Sequence, residues 1–388
     1  MAWSIRKSLA LASLGVAAVL AGCEDPPIDS QQRGYRGVAL EQNYNPEDFA
    51  KLIEQNQVPE PGTPAPEGGQ KASEVYQNVE VLGHLNQAQF TRLMNAITQW
   101  VSPDQGCAYC HNLAEGFAYE DVYTKKVSRW MLRMTMDINE NWESHVQNNE
   151  NQTGVTCYTC HRGNNLPQNV WWKNADDPQN APGMMAGWTS NSQNQPNMKT
   201  VYTSLPGDPF ETYLLGEGNL SEMIGVQGNQ ALPDPQSTDS IQATEATYGF
   251  MMHQSDALGV NCTYCHNSRA WGNWEQSPPQ RVSAWHGQRM TRAINNDYIV
   301  PTTDLLPDKR LGPKGDAPKA NCATCHNGVF KPLFGANMVK DYPSLDPNMT
   351  REEAAELRER LGPDHGANYG MPERIGSENA EPAVDNRF

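Results

Sequence analysis

Four Cys-x-x-Cys-His segments constrain this chain more than any other feature: residues 107–111, 157–161, 262–266 and 322–326. In each, two thiols stand at the spacing that adds to the two vinyl groups of one haem, and the adjoining histidine is placed as an iron ligand. The thiols are Cys107 and Cys110, Cys157 and Cys160, Cys262 and Cys265, and Cys322 and Cys325, eight of the nine cysteines. Zinc ribbons would bring two such pairs together at shorter spacing. Here the gaps between motifs run from roughly forty-five to a hundred residues, outside the ribbon range. The expected cofactors are therefore four covalently bound haem c, with His111, His161, His266 and His326 each supplying one ligand to an iron.

The ninth cysteine has a different role. Arg6 and Lys7 precede the apolar stretch from Ser8 to Ala21, which is too short to span a bilayer comfortably. It closes in Leu20-Ala21-Gly22-Cys23, which resembles a bacterial lipobox. Residues 1–22 then read as a signal peptide, and Cys23 is expected to carry diacylglycerol and an N-acyl chain. Two or more acyl chains hold a protein stably on a membrane, where one would not. Export agrees with haem attachment outside the cytoplasm, and no later segment is apolar enough to be a transmembrane helix.

Charge narrows the partners. The 388 residues carry a formal charge of −16, and losing residues 1–22 removes Arg6 and Lys7 and brings it to −18. That argues against nucleic acid and gives repulsion from anionic lipid, so membrane attachment falls to the acyl chains. A redox partner with a basic face would be steered toward such a surface. Hydrophobic residues make up only 38% of the chain, so four porphyrins would supply apolar bulk that side chains do not. With 28 prolines and 31 glycines, long irregular connections are expected.

The fold expected is mainly α with much irregular structure, a multihaem cytochrome c built as two pseudo-repeated two-haem units with a long connector. Residues 23–75 read as a lipid-anchored extended arm broken by prolines, 76–165 as the first unit, 166–240 as the connector, 241–345 as the second unit and 346–388 as a tail. Strand-like pieces, Val170-Trp171-Trp172 and Thr200-Val201-Tyr202, fall in the connector. Val127-Ser128-Arg129-Trp130 recurs as Val282-Ser283-Ala284-Trp285, each between the two motifs of a pair, and each copy then reaches Ile-Asn, at Ile138-Asn139 and Ile294-Asn295. In the tail, Thr350-Arg351-Glu352-Glu353 is a capping box that opens a short charged helix.

The second axial ligand decides whether such a protein carries electrons or does chemistry at an open iron. Before motif one, Phe90, Leu93, Met94, Ile97 and Val101 mark one helical face ended by Ser102-Pro103, which offers Met94. Before motif two, a long helix from Tyr123 to Val146 places Met131, Met134, Ile138, Trp142 and His145 at steps of three or four. Met131 and His145 share that face, about 21 Å apart at 1.5 Å per residue, so one helix could serve two haems; Met134 rivals Met131. Before motif three, Met251, Met252 and His253 are consecutive on a helix, and only one can face the haem. For motif four the repeat offers His286 or Met290, and the second helix offers His145. A candidate sixth ligand for every iron argues for electron transfer and against a multihaem enzyme.

Several of these segments carry a family resemblance. Gly154-Val155-Thr156 with motif two and Arg162-Gly163, Leu258-Gly259-Val260-Asn261 before motif three, and Lys331-Pro332-Leu333-Phe334-Gly335 after motif four resemble the tetrahaem cytochrome subunit of purple-bacterial photosynthetic reaction centres. The resemblance covers roughly residues 75–345, motif order and pair spacing. It implies an electron-transfer protein, not an enzyme, lipid-anchored on the periplasmic face of the bacterial inner photosynthetic membrane, that re-reduces the photo-oxidised bacteriochlorophyll special pair. Its partners would be the L and M subunits, the H subunit and light-harvesting 1, with a soluble cytochrome c or a high-potential iron–sulfur protein as donor. The family pattern selects Met94 for haem one, Met131 for haem two, Met251 for haem three and His145, opposite His326, for haem four. It also implies the order three, four, two, one outward from the special pair, and a propionate contact for Arg281. His286 and Met290 become bystanders, and the extra residues Gln147–Gln152 lengthen a loop beside His145.

Overall fold

Helices assemble this chain, and the computed structural model describes residues 29–32, 41–146, 153–173, 199, 201, 209–216 and 241–361. The expected signal segment, Cys23, the loop Gln147–Gln152, most of the connector and the tail beyond residue 361 lie outside the described residues. Among those described, the strands are β1 (Asp29–Gln32) and β2 (Glu41–Tyr44), an antiparallel pair with Asp29 opposite Tyr44. Of the expected strand pieces, Trp171 forms an isolated bridge with Lys319, just before motif four. No helix among the described residues is long and apolar enough to cross a membrane.

Local chemistry sets the helix ends. Helix α1 (Pro46–Gln55) opens on Asn45, whose side chain accepts from Glu47 N at 3.0 Å, with proline at its first position. Helix α2 (Gln87–Val101) begins in a reciprocal capping box: Gln89 N donates to Asn86 Oδ1 at 2.8 Å, and Asn86 N donates to Gln89 Oε1 at 3.2 Å. It stops at Ser102, before Pro103. Helix α3 (Tyr123–Asn141) corrects the expectation of one helix to Val146. It breaks at Trp142, whose ψ of 31° leaves the helical well, and a separate turn α4 (Glu143–Val146) carries His145. The Asn139-Glu140-Asn141 run is a weak helix former, and the break re-aims His145 relative to Met131.

The second half is built alike. A turn α6 (Pro209–Leu214) is the connector's described helix, and α7 (Ile241–Leu258) precedes motif three. Helix α8 (Gln280–Ile294) ends where Asn295–Ile299 winds into a π-turn. The tail opens with α10 (Arg351–Leu361), where Glu353 N donates to Thr350 Oγ1 and Glu353 accepts from Thr350 N.

Among the described residues, buried apolar side chains form three clusters where a domain of this size commonly has one. The first joins α2 and α3 to the 333–345 loop through Leu93, Trp100, Leu132, Leu333 and Leu345. The second joins α3, α4 and α8 through Ile138, Val146, Val155, Met290 and Ile294. The third joins α6 and α7 through Trp171, Phe210, Tyr213 and Phe250. The proline-rich arm is held down over its described part. Arg92 donates to Pro61 O at 2.7 Å, Thr63 O at 2.8 Å and Asp341 O at 2.6 Å, and its guanidinium stacks 4.1 Å over Tyr342.

Candidate functional site

The motifs adopt two geometries. Motifs two and four are single α-helical turns, α5 (Cys157–His161) and α9 (Cys322–His326). In both, the threonine inside the motif closes the turn: Thr156 N donates to Thr159 Oγ1 and Asn321 N donates to Thr324 Oγ1, each at 3.0 Å. The next residues turn left-handed at matching angles, Arg162 and Gly163 at φ 48° and 81°, Asn327 and Gly328 at 46° and 82°. Each ring then meets the carbonyl three residues on, His161 Nδ1 with Asn164 O at 2.8 Å and His326 Nδ1 with Val329 O at 3.0 Å. Motifs one and three are 3₁₀ turns, Gly106–Tyr109 and Cys262–Tyr264. There His111 Nδ1 meets Phe117 O at 3.1 Å and His266 Nδ1 meets Trp271 O at 2.9 Å. Each of these two rings also packs on that aromatic, with centroids 5.1 Å apart.

All four motif histidines thus point Nδ1 at a backbone carbonyl. That partner assigns the proton to Nδ1 and leaves the Nε2 lone pair for a metal, the arrangement of a ligating imidazole. Burial keeps the rings neutral: His326 is pushed down to about 3, first by burial and then by neighbouring His145. Burial also lowers His111, His161 and His266. Burial raises the thiols, Cys110 to about 11 and Cys157, Cys265 and Cys322 to about 12. Among the described residues, no group of three or more His, Cys, Asp or Glu stands ready to hold a metal ion.

Motifs two and four are neighbours. Cys160 Sγ lies 2.9 Å from Cys325 Sγ, and Arg162 Nη2 donates to Cys325 O at 2.8 Å. Two buried asparagines hold them. Asn139 Nδ2 donates to Val155 O at 2.9 Å and Asn139 Oδ1 accepts from Val155 N at 2.7 Å, two residues before Cys157. Asn295 does the same with Ala320, two residues before Cys322, at 2.9 and 2.8 Å. These are the two Ile-Asn asparagines. The sequence showed their recurrence but not their role.

The candidate sixth ligands are placed as follows. His145 and His326 converge, ring centroids 6.0 Å apart, close to the roughly 6 Å expected of two imidazoles on one metal with bonds of about 2.0 Å. His145 Nδ1 meets Ser283 O at 2.8 Å, so it too keeps Nε2 available. Of its rivals, Met290 is buried in the second cluster, which also holds Val146 beside His145, and His286 lies against Trp285 at 4.9 Å. Met94 is half-buried on the inner face of α2, against the first cluster. Met134 packs into the second cluster, while Met131, half-buried, lies one turn before Thr135, which reaches the Cys157 thiol. Met251 packs against the third cluster, and His253 is enclosed by Phe210 and Phe250 with centroids at 4.6 and 6.3 Å. Eight thiols paired by motif, five carbonyl-oriented imidazoles and half-buried methionines fit haem as the group held.

Two cations occupy matching places. Arg281 Nη1 donates to Trp271 O at 3.4 Å and Asn273 O at 3.1 Å, with its guanidinium 4.0 Å over Trp274. Lys125 Nζ donates to Phe117 O at 3.0 Å and Tyr119 O at 2.9 Å. Each therefore touches the carbonyl that orients a motif histidine. Lys125 was not singled out from the sequence, where it reads as one of two adjacent lysines opening a helix.

The family model described as "Photosynthetic reaction centre cytochrome C subunit" matches residues 24–346. A protein named photosynthetic reaction center cytochrome c subunit from Rubrivivax gelatinosus is 48% identical over 347 residues, 89% of this chain and 91% of that protein. Proteins of the same name from Thermochromatium tepidum and Roseobacter denitrificans are 45% and 40% identical. Each alignment covers 87% of this chain, and 80% and 91% of the respective relative.

Proposed function

Because the chain belongs to the family of photosynthetic reaction centre cytochrome c subunits, electron-transfer subunits that carry covalently bound haem c peripheral to the photosynthetic membrane, we propose that it passes electrons from a periplasmic donor to the photo-oxidised bacteriochlorophyll special pair. Bound haem supplies one-electron carriers whose potential responds to axial ligands and nearby charge. The chain's own residues supply those ligands and that charge. Four haems are attached through the four thiol pairs. His111 pairs with Met94, His161 with Met131, His266 with Met251, and His326 with His145.

The observation that carries this reading is the common orientation of five imidazoles by backbone carbonyls, with His145 and His326 converging on one space. The contact of motifs two and four supports their being neighbours in the order three, four, two, one outward from the special pair. The matched asparagines, threonines and left-handed turns support a two-unit pseudo-repeat. Arg281, beside motif three, is the candidate propionate partner. Partners on this reading are the L and M subunits, with H and light-harvesting 1 in the whole complex. The donor is a soluble cytochrome c or a high-potential iron–sulfur protein. Acylated Cys23 anchors the chain on the periplasmic face.

Purification through an affinity tag on this chain tests the assignment. Bacteriochlorophyll should co-purify, and the alkaline pyridine spectrum should give four haem c per chain. A chain that elutes free of pigment, or with fewer haems, contradicts it.

A further inference from the structure

His145 belongs to α4, yet what holds its ring belongs to α8. Ser283 O takes the Nδ1 proton at 2.8 Å. One turn further along, Gly287 lies directly under the ring. An ideal Cβ at 287 would overlap Cε1 and stand 2.7 Å from Nδ1 and 2.8 Å from Nε2. Positions four apart share a helix face, so Ser283 and Gly287 form one seat. Gly287 is buried in the middle of α8 in ordinary helical conformation, where alanine is the better helix former. A glycine there costs the helix stability and needs a local reason. The edge of the imidazole supplies it.

We propose that α8 is the positioning platform for His145: Gly287 is the notch that admits the ring, and Ser283 the carbonyl that fixes its tautomer, so that Nε2 faces the space shared with His326. This rests on the reading of His145 as the fourth sixth ligand. The notch allows the ring to lie against the helix backbone at the depth that brings the two imidazole centroids to 6.0 Å. Any side chain at 287 pushes the ring away from that axis, while α8 itself keeps its hydrogen bonds, including Thr291 Oγ1 to Gly287 O at 2.8 Å.

The test compares Gly287→Ala with His145→Ala in the haem-loaded cytochrome, by electron paramagnetic resonance and redox titration. In both variants the low-spin bis-histidine signal should be lost or shifted, with the histidine–methionine haems unmoved. If His145→Ala abolishes the signal and Gly287→Ala leaves signal and midpoint unchanged, the platform is wrong and the ligand right. If His145→Ala leaves the signal, the ligand reading fails and takes the platform with it. A second comparison holds even if Gly287→Ala assembles poorly. Free imidazole should bind the His145→Ala protein and restore a low-spin signal. It should bind the His145→Ala/Gly287→Ala protein at least tenfold more weakly, because the added Cβ fills the seat. Equal imidazole affinity in the two overturns the proposal.

Discussion

Asn139 and Asn295 each grip both backbone groups of the residue two places ahead of a motif, from inside the protein where no water can substitute. Asn139 also donates to Leu345 O at 2.7 Å, so it ties α3, the entry to motif two and the 333–345 loop together. Asn139→Ala would leave Val155 N–H and two carbonyls buried without partners, a cost of about 2–4 kcal/mol. Chemical denaturation should show that loss, and Asn295→Ala should show one of similar size; a change below half a kilocalorie in both would contradict the pinning role. Lys125 acts on charge. Its ammonium shares Phe117 O with the His111 ring, which weakens that carbonyl as an acceptor and makes the imidazole a poorer donor to an oxidised metal. Lys125→Met should therefore lower the midpoint potential of the first haem. Loss of about 1 kcal/mol corresponds to roughly 40 mV for one electron. Lys125→Arg should restore it, and an unchanged titration would refute the tuning.

At the scale of elements, α3 is fastened to the loop around motif one by charge. Arg129 on α3 pairs with Glu120 and, at 3.1 Å, with Glu80. Hydrogen bonding from Arg129 pulls the Glu120 carboxyl down to about 2, with Asn78 and Lys125 adding to it. A depressed carboxylate contributes stability that is fully present above its ordinary range near 4.5 and is lost as pH falls through about 2. The Glu120 side chain is 41% exposed, so solvent screens the pair and the effect is modest. Glu120→Gln should flatten the acid limb of the stability curve between pH 4.5 and 2, and an acid limb identical to that of the unaltered chain would show that the pair contributes nothing.

Element existence was legible in the sequence wherever apolar residues recurred at helical steps under a recognisable cap. The α2 face from Phe90 to Val101 and the Thr350 box of α10 are examples. The break at Trp142 was not legible, because the apolar spacing runs on through His145 and only the backbone departs. The thiol and histidine motifs could be read directly, since their chemistry is local. The Ser283 carbonyl that orients His145 could not be, since it lies 138 residues away in the chain. Three consecutive candidates, Met251, Met252 and His253, could not be separated by period alone; in the fold, His253 packs between Phe210 and Phe250 and Met251 against the same cluster.

Over the whole molecule, a formal charge of −16 sits on a fold whose apolar core, among the described residues, is divided among three clusters. The contact between motifs two and four links the two halves of the chain, and on the proposed reading those halves form a path between a donor and the membrane-bound core. A flash measurement on photosynthetic membranes tests that path most directly. Within microseconds of a saturating flash, the α-band of c-type haem should bleach as the special pair recovers its electron, and membranes lacking this chain should show neither event on that timescale. Special-pair recovery at the same rate without the chain, or no haem oxidation after the flash in its presence, would contradict it.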